Sequence, residues 1–323
     1  MKALCLGFSF AFCFVAMLFA APPVTAQTGA ASRQTKILYL GETAVKVNVY
    51  EKPGDSVTFV APHYNEQIAR RAAAEAVERR GGRLVEIEST DARGNPARNL
   101  NFRLGGKTYT VDPNRIFTPN GRACGGFSFE SERAVRKFAE AFLKLVLSPD
   151  GENNLREGER FIVAVHNNSD VDGKAASLRA VDLTASAYAR NIGANRAAHA
   201  SFAEQAAGVY LSNAETDADN FIFLSAPPSF IGYFAAQNFN VVAQKAAREL
   251  QSKNCRVDDG SLSVFAGQAG ISYICLEADA ITGAPRQRRM IESVYGLLRQ
   301  ITAKSAGELD ETPVAEQGER QEF

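Results

Sequence analysis

The chain of 323 residues carries 36 basic and 36 acidic side chains, so its formal net charge at pH 7 is zero. This neutral balance argues against nucleic acid or an anionic membrane surface as the main partner, because both attract strongly basic proteins.

Residues 1–26 have the features of a secretory signal peptide. Lys2 provides a positive start, an apolar run follows, and Val-Thr-Ala before Gln27 fits the cleavage rule. We therefore expect export to the periplasm or secretion. No later run approaches the roughly 18–20 apolar residues of a membrane-spanning helix, so no stable membrane insertion is expected after the signal is removed. Residues 27–36 are small and polar, which predicts a flexible lead-in.

The first half of the remaining chain alternates strands and helices. Residues 36–41 and 45–52 predict a β pair, 56–62 a buried strand and 83–89 a further strand. Between the last two, a helix after Glu66 ends at Gly81-Gly82. Its inward stripe is predicted to contain Ala69, Ala72, Ala73, Ala76 and Val77.

A hairpin and a long helix come next. Residues 99–112 alternate around Gly105-Gly106, which predicts a hairpin. Residues 132–147 predict a helix, and 159–168 read as a central strand that ends at His166.

The second half begins with a weakly periodic stretch. Residues 170–219 are rich in alanine and polar residues and predict a loop-rich insertion with one or two helices. The α/β alternation then resumes with strands at 220–226 and 240–244, separated by a short helix. Residues 261–279 predict two more strands. Residues 285–302 predict a helix with an apolar face, and 303–323 a disordered tail.

This alternation predicts one domain over residues 37–302, a three-layer α/β/α fold with a mostly parallel mixed sheet. Three cysteines would survive removal of the signal peptide, namely Cys124, Cys255 and Cys275. In an oxidising compartment one pair can form a disulfide, or all three can stay as buried thiols, and the sequence does not select between these arrangements.

Two of the three histidines lie at predicted strand ends, where α/β proteins keep their sites. His63 lies three residues before Glu66, and His166 ends the central strand. Two histidines and one carboxylate are a known ligand set of catalytic zinc. The alternative for the first pair is a surface histidine beside a glutamate that starts a helix. His199, in an alanine-rich stretch, is not expected to bind metal.

Four short motifs occur in an order that resembles one family. They are His-Tyr-Asn-Glu (63–66), Asp-Pro-Asn-Arg-Ile-Phe (112–117), Ala-Val-His-Asn-Asn (164–168) and Ile-Cys-Leu-Glu-Ala-Asp (274–279). This arrangement is similar to the superfamily of zinc carboxypeptidases and of aspartoacylases and succinylglutamate desuccinylases. The resemblance covers roughly residues 56–302 and implies the fold given above.

The resemblance also implies the metal and the catalytic base. A Zn²⁺ ion would be held by His63, Glu66 and His166, where it would activate water and polarise the scissile carbonyl. Glu277 would be the general base. Arg98 would stabilise the oxyanion, with Arg103 as the alternative.

Substrate contacts follow from the same motifs. Asn114 and Arg115 would bind the substrate carboxylate, although Arg115 could instead only pair with Asp112 across the turn. Asn167 would contact the substrate or orient the metal ligand beside it. Asp258 and Asp259 could hold a cationic group or form no more than a turn.

The predicted function is that of an exported zinc-dependent amide hydrolase, of the carboxypeptidase or amidase type. It would cleave an amide next to a free carboxylate, in a small peptide such as a cell-wall peptide. A deacylase of N-acyl amino acids is the first alternative. A non-catalytic ligand-binding protein on the same fold is the second, and the presence of Glu277 argues against it.

Overall fold

The computed structural model describes residues 30–55, 57–147, 161–168, 204–210, 212, 214–215 and 220–305. The predicted signal peptide, most of the predicted insertion with His199, and the tail after residue 305 lie outside the described residues. Among the helices of the described part, none is long and apolar enough to cross a membrane.

A large mixed sheet forms the centre of the molecule. In chain order the strands are β1 (Ser32–Leu40), β2 (Thr43–Lys52), β3 (Thr58–Ala61), β4 (Gly82–Ile87), β5 (Leu100–Leu104), β6 (Lys107–Val111), β7 (Phe161–Asn168), β8 (Ala206–Tyr210), β9 (Phe221–Ser225), β10 (Val241–Gln244) and β11 (Ser272–Asp279). The sheet order in the described part is β1-β2-β4-β3-β7-β11-β9-β10-β8, and β5 and β6 form a separate hairpin.

Helices cover both faces of this sheet. They are α1 (Gln67–Arg80), α2 (Pro119–Cys124), α3 (Phe129–Leu147), α4 (Pro228–Ala235), α5 (Ala247–Leu250), α6 (Leu262–Ala269) and α7 (Ala284–Ser305). Apolar residues of α1, α4 and α7 belong to one core cluster, and those of α3 and α6 belong to the other. The predicted three-layer α/β/α class with a mixed sheet is therefore confirmed, although the sheet is not mostly parallel, since four of its eight described strand pairs are antiparallel.

Strand β7 shows why the sequences of the central strands are continuous apolar runs. Ile162 and Ala164 face the core beneath α3, whereas Val163 and Val165 face the core beneath α1. Successive side chains of a strand point to opposite faces, and both faces are buried here. The two neighbours of β7, which are β3 and β11, run parallel to it.

The first predicted helix and the hairpin agree with the structure. All five residues of the predicted inward stripe of α1 are buried, and Gly81 ends the helix at a positive φ of 87°. The hairpin of β5 and β6 turns at Gly105-Gly106.

Three predictions about element boundaries are wrong. Residues 32–36 belong to β1, because they pair in full register with β2, and their polar side chains are compatible with an exposed edge strand. Residues 206–210, placed in the loop-rich insertion, form the edge strand β8. Helix α3 begins at Phe129, three residues before the predicted start.

The sequence also predicted two strands within residues 261–279, but the first half of this range forms the helix α6. Leu262, Val264 and Ala266 alternate in the sequence as in a strand, and all three are buried in the helix. The helix starts because the Ser261 hydroxyl accepts a hydrogen bond from the Val264 N–H group. It ends at Gly270, whose φ of 68° is left-handed.

Cys124 and Cys255 form a disulfide, and Cys275 is a buried free thiol. The bond joins the end of α2 to the segment before α6, across 131 residues of sequence. It resolves the pairing that the sequence left open.

We expect the double substitution Cys124→Ser, Cys255→Ser to lower the free energy of unfolding by about 2–4 kcal/mol, because a cross-link over a long loop restricts the unfolded chain. Urea denaturation without reductant measures this change. Reduced wild type is the control and should match the variant. Equal midpoints for oxidised wild type and variant would contradict the prediction.

Candidate active site

Three parallel strands bring the predicted residues to one edge of the sheet. β3 and β11 both run parallel to β7, so their carboxyl ends lie side by side. His63 follows β3 after Pro62, His166 lies near the end of β7, and Glu277 is paired with His166 in register on β11. Sites of α/β proteins form beyond this edge.

The Glu66 carboxylate lies between the two histidines. Its Oε1 atom is 2.8 Å from Nδ1 of His63, and its Oε2 atom is 2.9 Å from Nδ1 of His166. Glu66 is also the residue at the N-cap of α1, but its side chain makes no capping hydrogen bond. The carboxylate is therefore committed to the histidines, and the alternative of a surface histidine beside a helix start does not hold, since all three residues are buried.

The donor atoms of His63, Glu66 and His166 are of the types that bind a zinc ion. Ligand atoms of His63, Glu66 and His166 all lie within 4.8 Å of one another. Two imidazole nitrogens and one carboxylate oxygen form a set that binds catalytic zinc. His166 also forms such a group with Cys275 and Glu277. This second set shares His166 with the first, so the two groups adjoin each other at the same edge of the sheet.

Asp112 orients the first histidine, a role that the sequence did not suggest. Its Oδ1 atom is 2.8 Å from Nε2 of His63. If Nε2 carries the proton and donates it to Asp112, the lone pair of Nδ1 is left for a metal. Arg98 donates to Oδ2 of Asp112 at 3.2 Å and to Oε1 of Glu66 at 3.0 Å. The sequence did offer one indication of this role, because the second motif begins with the acidic residue Asp112.

The two carboxylates of this cluster are held in their ionised forms. Burial acts to raise the pKa of Glu66, but His63 and His166 outweigh it, so the pKa lies well below the usual range. Burial likewise opposes a low pKa at Asp112, and the hydrogen bond and charge of His63 outweigh it. At His63 burial lowers the pKa, while Glu66 and Asp112 outweigh it and raise the pKa. Both carboxylates are therefore ionised at neutral pH.

Glu277 is in a different electrostatic environment. Its Oε2 atom is shielded from solvent and has no hydrogen-bond partner, and its Oε1 atom accepts a 3.4 Å contact from the Cys275 thiol. Burial raises the pKa of Glu277, an effect that His166 opposes and Glu66 reinforces. A carboxylate whose ionised form is disfavoured accepts protons more readily, as a general base must.

The second motif places Asn114 and Arg115 beside this edge. Arg115 Nη1 lies 3.3 Å from Asp259 Oδ2, and Asn114 Oδ1 accepts a 3.0 Å hydrogen bond from the Leu262 N–H group. The alternative pairing of Arg115 with Asp112 is not observed, since Asp112 contacts His63 and Arg98 instead. Asp258 and Asp259 make the hydrogen bonds of the predicted turn, since Asp258 Oδ1 accepts from the Gly260 N–H group at 3.2 Å and Asp259 Oδ1 from the Ser261 N–H group at 3.0 Å.

Two further predicted residues have positions that limit their roles. Asn167 accepts a 3.0 Å hydrogen bond from the Ala69 N–H group and donates to the Ala278 carbonyl at 3.2 Å. Its amide oxygen and one amide N–H are thereby bound to the backbone next to His166, which agrees with the predicted role of orienting this ligand; substrate binding by Asn167 stays a prediction. Arg103 lies on the exposed hairpin, whereas Arg98 contacts the cluster, and the structure thus favours Arg98.

A cleft of about 100 Å³ lies at the same edge. Its lining includes Asn114, Arg115, His166, Gln205, Asp259 and Glu277. A larger cavity of about 680 Å³ lies between the hairpin and α3, and the predicted site residues are absent from its lining. The sequence did not single out Gln205, since no motif surrounds it.

Comparisons with known proteins give only weak similarities. No family model matches the chain, and no curated protein matches it. One similar solved structure is that of the ectoine utilization protein EutE (DoeB) from Ruegeria pomeroyi, which is 12% identical in sequence. The match covers 90% of this chain and 72% of that chain, with a TM-score of 0.36. A succinylglutamate desuccinylase/aspartoacylase from Rhodobacter sphaeroides has 15% identity, coverages of 90% and 69%, and a TM-score of 0.35.

A presumed carboxypeptidase A from Shewanella denitrificans has 11% identity, coverages of 86% and 66%, and a TM-score of 0.35. Because the TM-scores are below 0.5, the similarities by themselves carry no conclusion about activity, and the site has to be argued from its own geometry.

We expect Asp112→Asn to weaken zinc binding by about 10–100-fold, because the hydrogen bond that orients His63 is altered. Competition with a chromophoric chelator measures the affinity. Asp91→Asn is a matched control, since Asp91 is exposed and accepts hydrogen bonds within its own turn. Equal zinc affinities for the two variants would exclude the orienting role of Asp112.

Proposed function

We propose that this protein is a zinc-dependent amide hydrolase that cleaves an amide next to a free carboxylate. The observation that carries the proposal is the position of Glu277, a shielded carboxylate without a partner for Oε2, beside the convergent group of His63, Glu66 and His166. A metal-ligand set and a carboxylate base on adjacent strands are the two parts that metal-assisted hydrolysis requires.

His63, Glu66 and His166 would hold the metal, and Asp112 would fix the orientation of the His63 ring. Bound zinc would supply Lewis-acid chemistry, which acidifies water and polarises a carbonyl group. The ionised state of Glu66 would partly neutralise the added positive charge.

Glu277 would move the proton during the reaction. As water attacks the carbonyl carbon, Glu277 takes one of its protons and later gives it to the leaving amine. The C–N bond then breaks, and the products are a carboxylic acid and an amine. Because burial already disfavours ionised Glu277, proton uptake relieves an unfavourable charge.

Arg115 would bind the carboxylate next to the scissile amide. Its side chain is 39% exposed and its guanidinium group contacts one Asp259 oxygen, so the fork can take a second anion. Asn114 lies beside it but uses its Oδ1 atom on the backbone, which leaves its NH₂ group as the available donor. Arg98 is 44% exposed next to Glu66 and could stabilise a developing oxyanion.

The place of action and the substrate are further parts of the proposal. The Cys124–Cys255 disulfide supports action after export, because such bonds persist in oxidising compartments. Cell-wall peptides would then be the substrate class. The alternative is an N-acyl amino acid, which needs the same chemistry. Rates with a panel of muropeptides and N-acyl amino acids distinguish the two.

We expect Glu277→Gln to lower kcat by about 10²–10⁴-fold while zinc affinity changes little, because the base is lost and the ligands are kept. Steady-state kinetics and zinc competition on the same preparation provide the two measurements. Hydrolysis at the wild-type rate would exclude Glu277 as the base. Absence of hydrolysis by zinc-loaded wild type across the panel would favour a non-catalytic binding protein.

The same variant should also change stability with pH. The folded-state pKa of Glu277 is raised, so its contribution to stability is present below the unfolded pKa of about 4.3 and is lost as pH rises through the folded pKa. We therefore expect zinc-free Glu277→Gln to be more stable than wild type at pH 7, with a smaller difference near pH 4. Urea denaturation at both pH values tests this, and a pH-independent difference would contradict it.

We expect Arg115→Lys to lower kcat/KM by about 10–100-fold for substrates with the free carboxylate, because lysine cannot form the two-pronged contact. Amidated analogues of the same substrates should be affected much less. Arg103→Lys, on the exposed hairpin, is the control. An equal loss for both substrate types would show that Arg115 acts on folding and not on the carboxylate.

A further inference from the structure

Arg70 contacts the turn that carries two of the three predicted metal ligands. This turn joins β3 to α1 and contains His63, Tyr64 and Glu66. Arg70 lies in the first turn of α1, and its Nη1 atom donates a 2.7 Å hydrogen bond to the Tyr64 carbonyl. Its guanidinium carbon also lies 3.7 Å from the centre of the Tyr64 ring, so a cation faces the aromatic ring. One side chain therefore holds both the backbone and the ring of Tyr64.

Glu86 on β4 is the anion that fixes the guanidinium group of Arg70. Its Oε2 atom accepts a 2.9 Å hydrogen bond from Nε of Arg70. Its Oε1 atom accepts from the Asn48 amide at 3.2 Å and from the Tyr50 hydroxyl at 3.3 Å. The Glu86 side chain is only 3% exposed. Because apolar residues often stabilise a core at least as well as a buried ion pair does, this pair indicates a positional role.

The contacts of Arg70 differ from those between the ligands because they use no ligand atom. Nδ1 of His63 contacts Oε1 of Glu66, and both atoms are of the types that bind a metal. Arg70 instead donates to the backbone carbonyl of Tyr64, which lies between the two ligands in sequence. This contact with the turn does not compete with metal binding. Support of this kind keeps ligands within the narrow geometry that a metal site needs.

We propose that Arg70, fixed by Glu86, is a positioning residue that sets the arrangement of His63 and Glu66 for metal binding. The inference rests on the metal site of the proposed function, but it does not depend on which substrate is cleaved. Arg70 is absent from the described lining of the cleft, so its role is not contact with substrate. A change at Arg70 should alter metal binding first and hydrolysis only as a result.

The first test is the zinc affinity of Arg70→Lys, measured by competition with a chromophoric chelator. Lysine keeps a cation beside Glu86, but it cannot also bond the Tyr64 carbonyl and stack on the ring as the planar fork does. We expect the zinc affinity to fall at least about tenfold. Arg71→Lys is the matched control and should leave the affinity unchanged, because Arg71 is exposed on the same helix and donates to Gln67 within it.

The absorption spectrum of cobalt-substituted protein separates positioning from a loss of stability. Its visible bands depend on the arrangement of the ligands around the metal. Arg70→Lys should shift these bands relative to wild type and to Arg71→Lys. A variant that is only less stable would have a lower melting midpoint, yet its folded fraction would keep the wild-type bands. A weakened zinc affinity with unshifted bands would therefore overturn the positioning role.

Glu86→Gln tests the connection of Arg70 to the sheet. Glutamine keeps the size of the side chain and removes the charge that fixes the guanidinium group. We expect this change to weaken zinc binding in wild type and to add little in the Arg70→Lys background, because residues that act through one contact are not additive. Fully additive losses in the double variant would overturn the part assigned to Glu86.

The remaining outcomes separate the inference from the proposed function. Equal zinc affinities for Arg70→Lys and wild type would overturn the inference, and hydrolysis by both proteins would then leave the function in place. Zinc binding that depends on Arg70, without hydrolysis of any amide, would reject the function and keep the inference. Absence of zinc binding to wild type would overturn both.

Discussion

The contact of one buried carboxylate with two histidines holds the functional edge of the molecule together. Glu66 contacts Nδ1 of His63 with one oxygen and Nδ1 of His166 with the other, and Arg98 and the Asn167 N–H group add further donors. Removal of a carboxylate from water is costly unless such partners replace its hydration. The contacts also join the loop after β3, the start of α1 and the end of β7. The same interactions that stabilise this anion thus position the metal-ligand set.

The parallel arrangement of three strands explains why much of this site could be predicted from sequence. A strand buried on both faces needs a continuous apolar run, and β7 and β11 show such runs directly before His166 and Glu277. Parallel neighbours place their carboxyl ends together, so polar residues that follow separate apolar runs meet in space. Local sequence therefore carried information about residues that are a hundred positions apart, such as Glu66 and His166.

The features of the fold and of the site that the sequence did not predict depend mainly on tertiary contacts, which leave little local pattern. Asp112 orients His63 from 49 residues away, and nothing around it distinguishes this role from a partnership with Arg115. Helix α6 has a strand-like alternation, yet its capping residues and packing on the sheet decide in favour of a helix. Gln205 precedes an edge strand whose pairing comes only from its neighbour β10. For Asp112 and Gln205 the deciding partner lies far away in sequence, whereas the capping residues Ser261 and Gly270 of α6 are local signals.

The segment that binds the carboxylate in our proposal is built by close backbone packing. A Cβ atom on Gly260 would clash with the Arg115 carbonyl and with Gly121, so glycine is required at this crossing, where the φ of Gly260 is 79°. The Phe117 N–H group donates to the Gly260 carbonyl at 2.8 Å, and the Cys124–Cys255 disulfide ties the same two segments. Because Asp259 adjoins Gly260, these contacts hold the Arg115–Asp259 pair at a defined position. A substrate carboxylate would therefore meet an arginine that is already oriented, and less conformational entropy would be lost on binding.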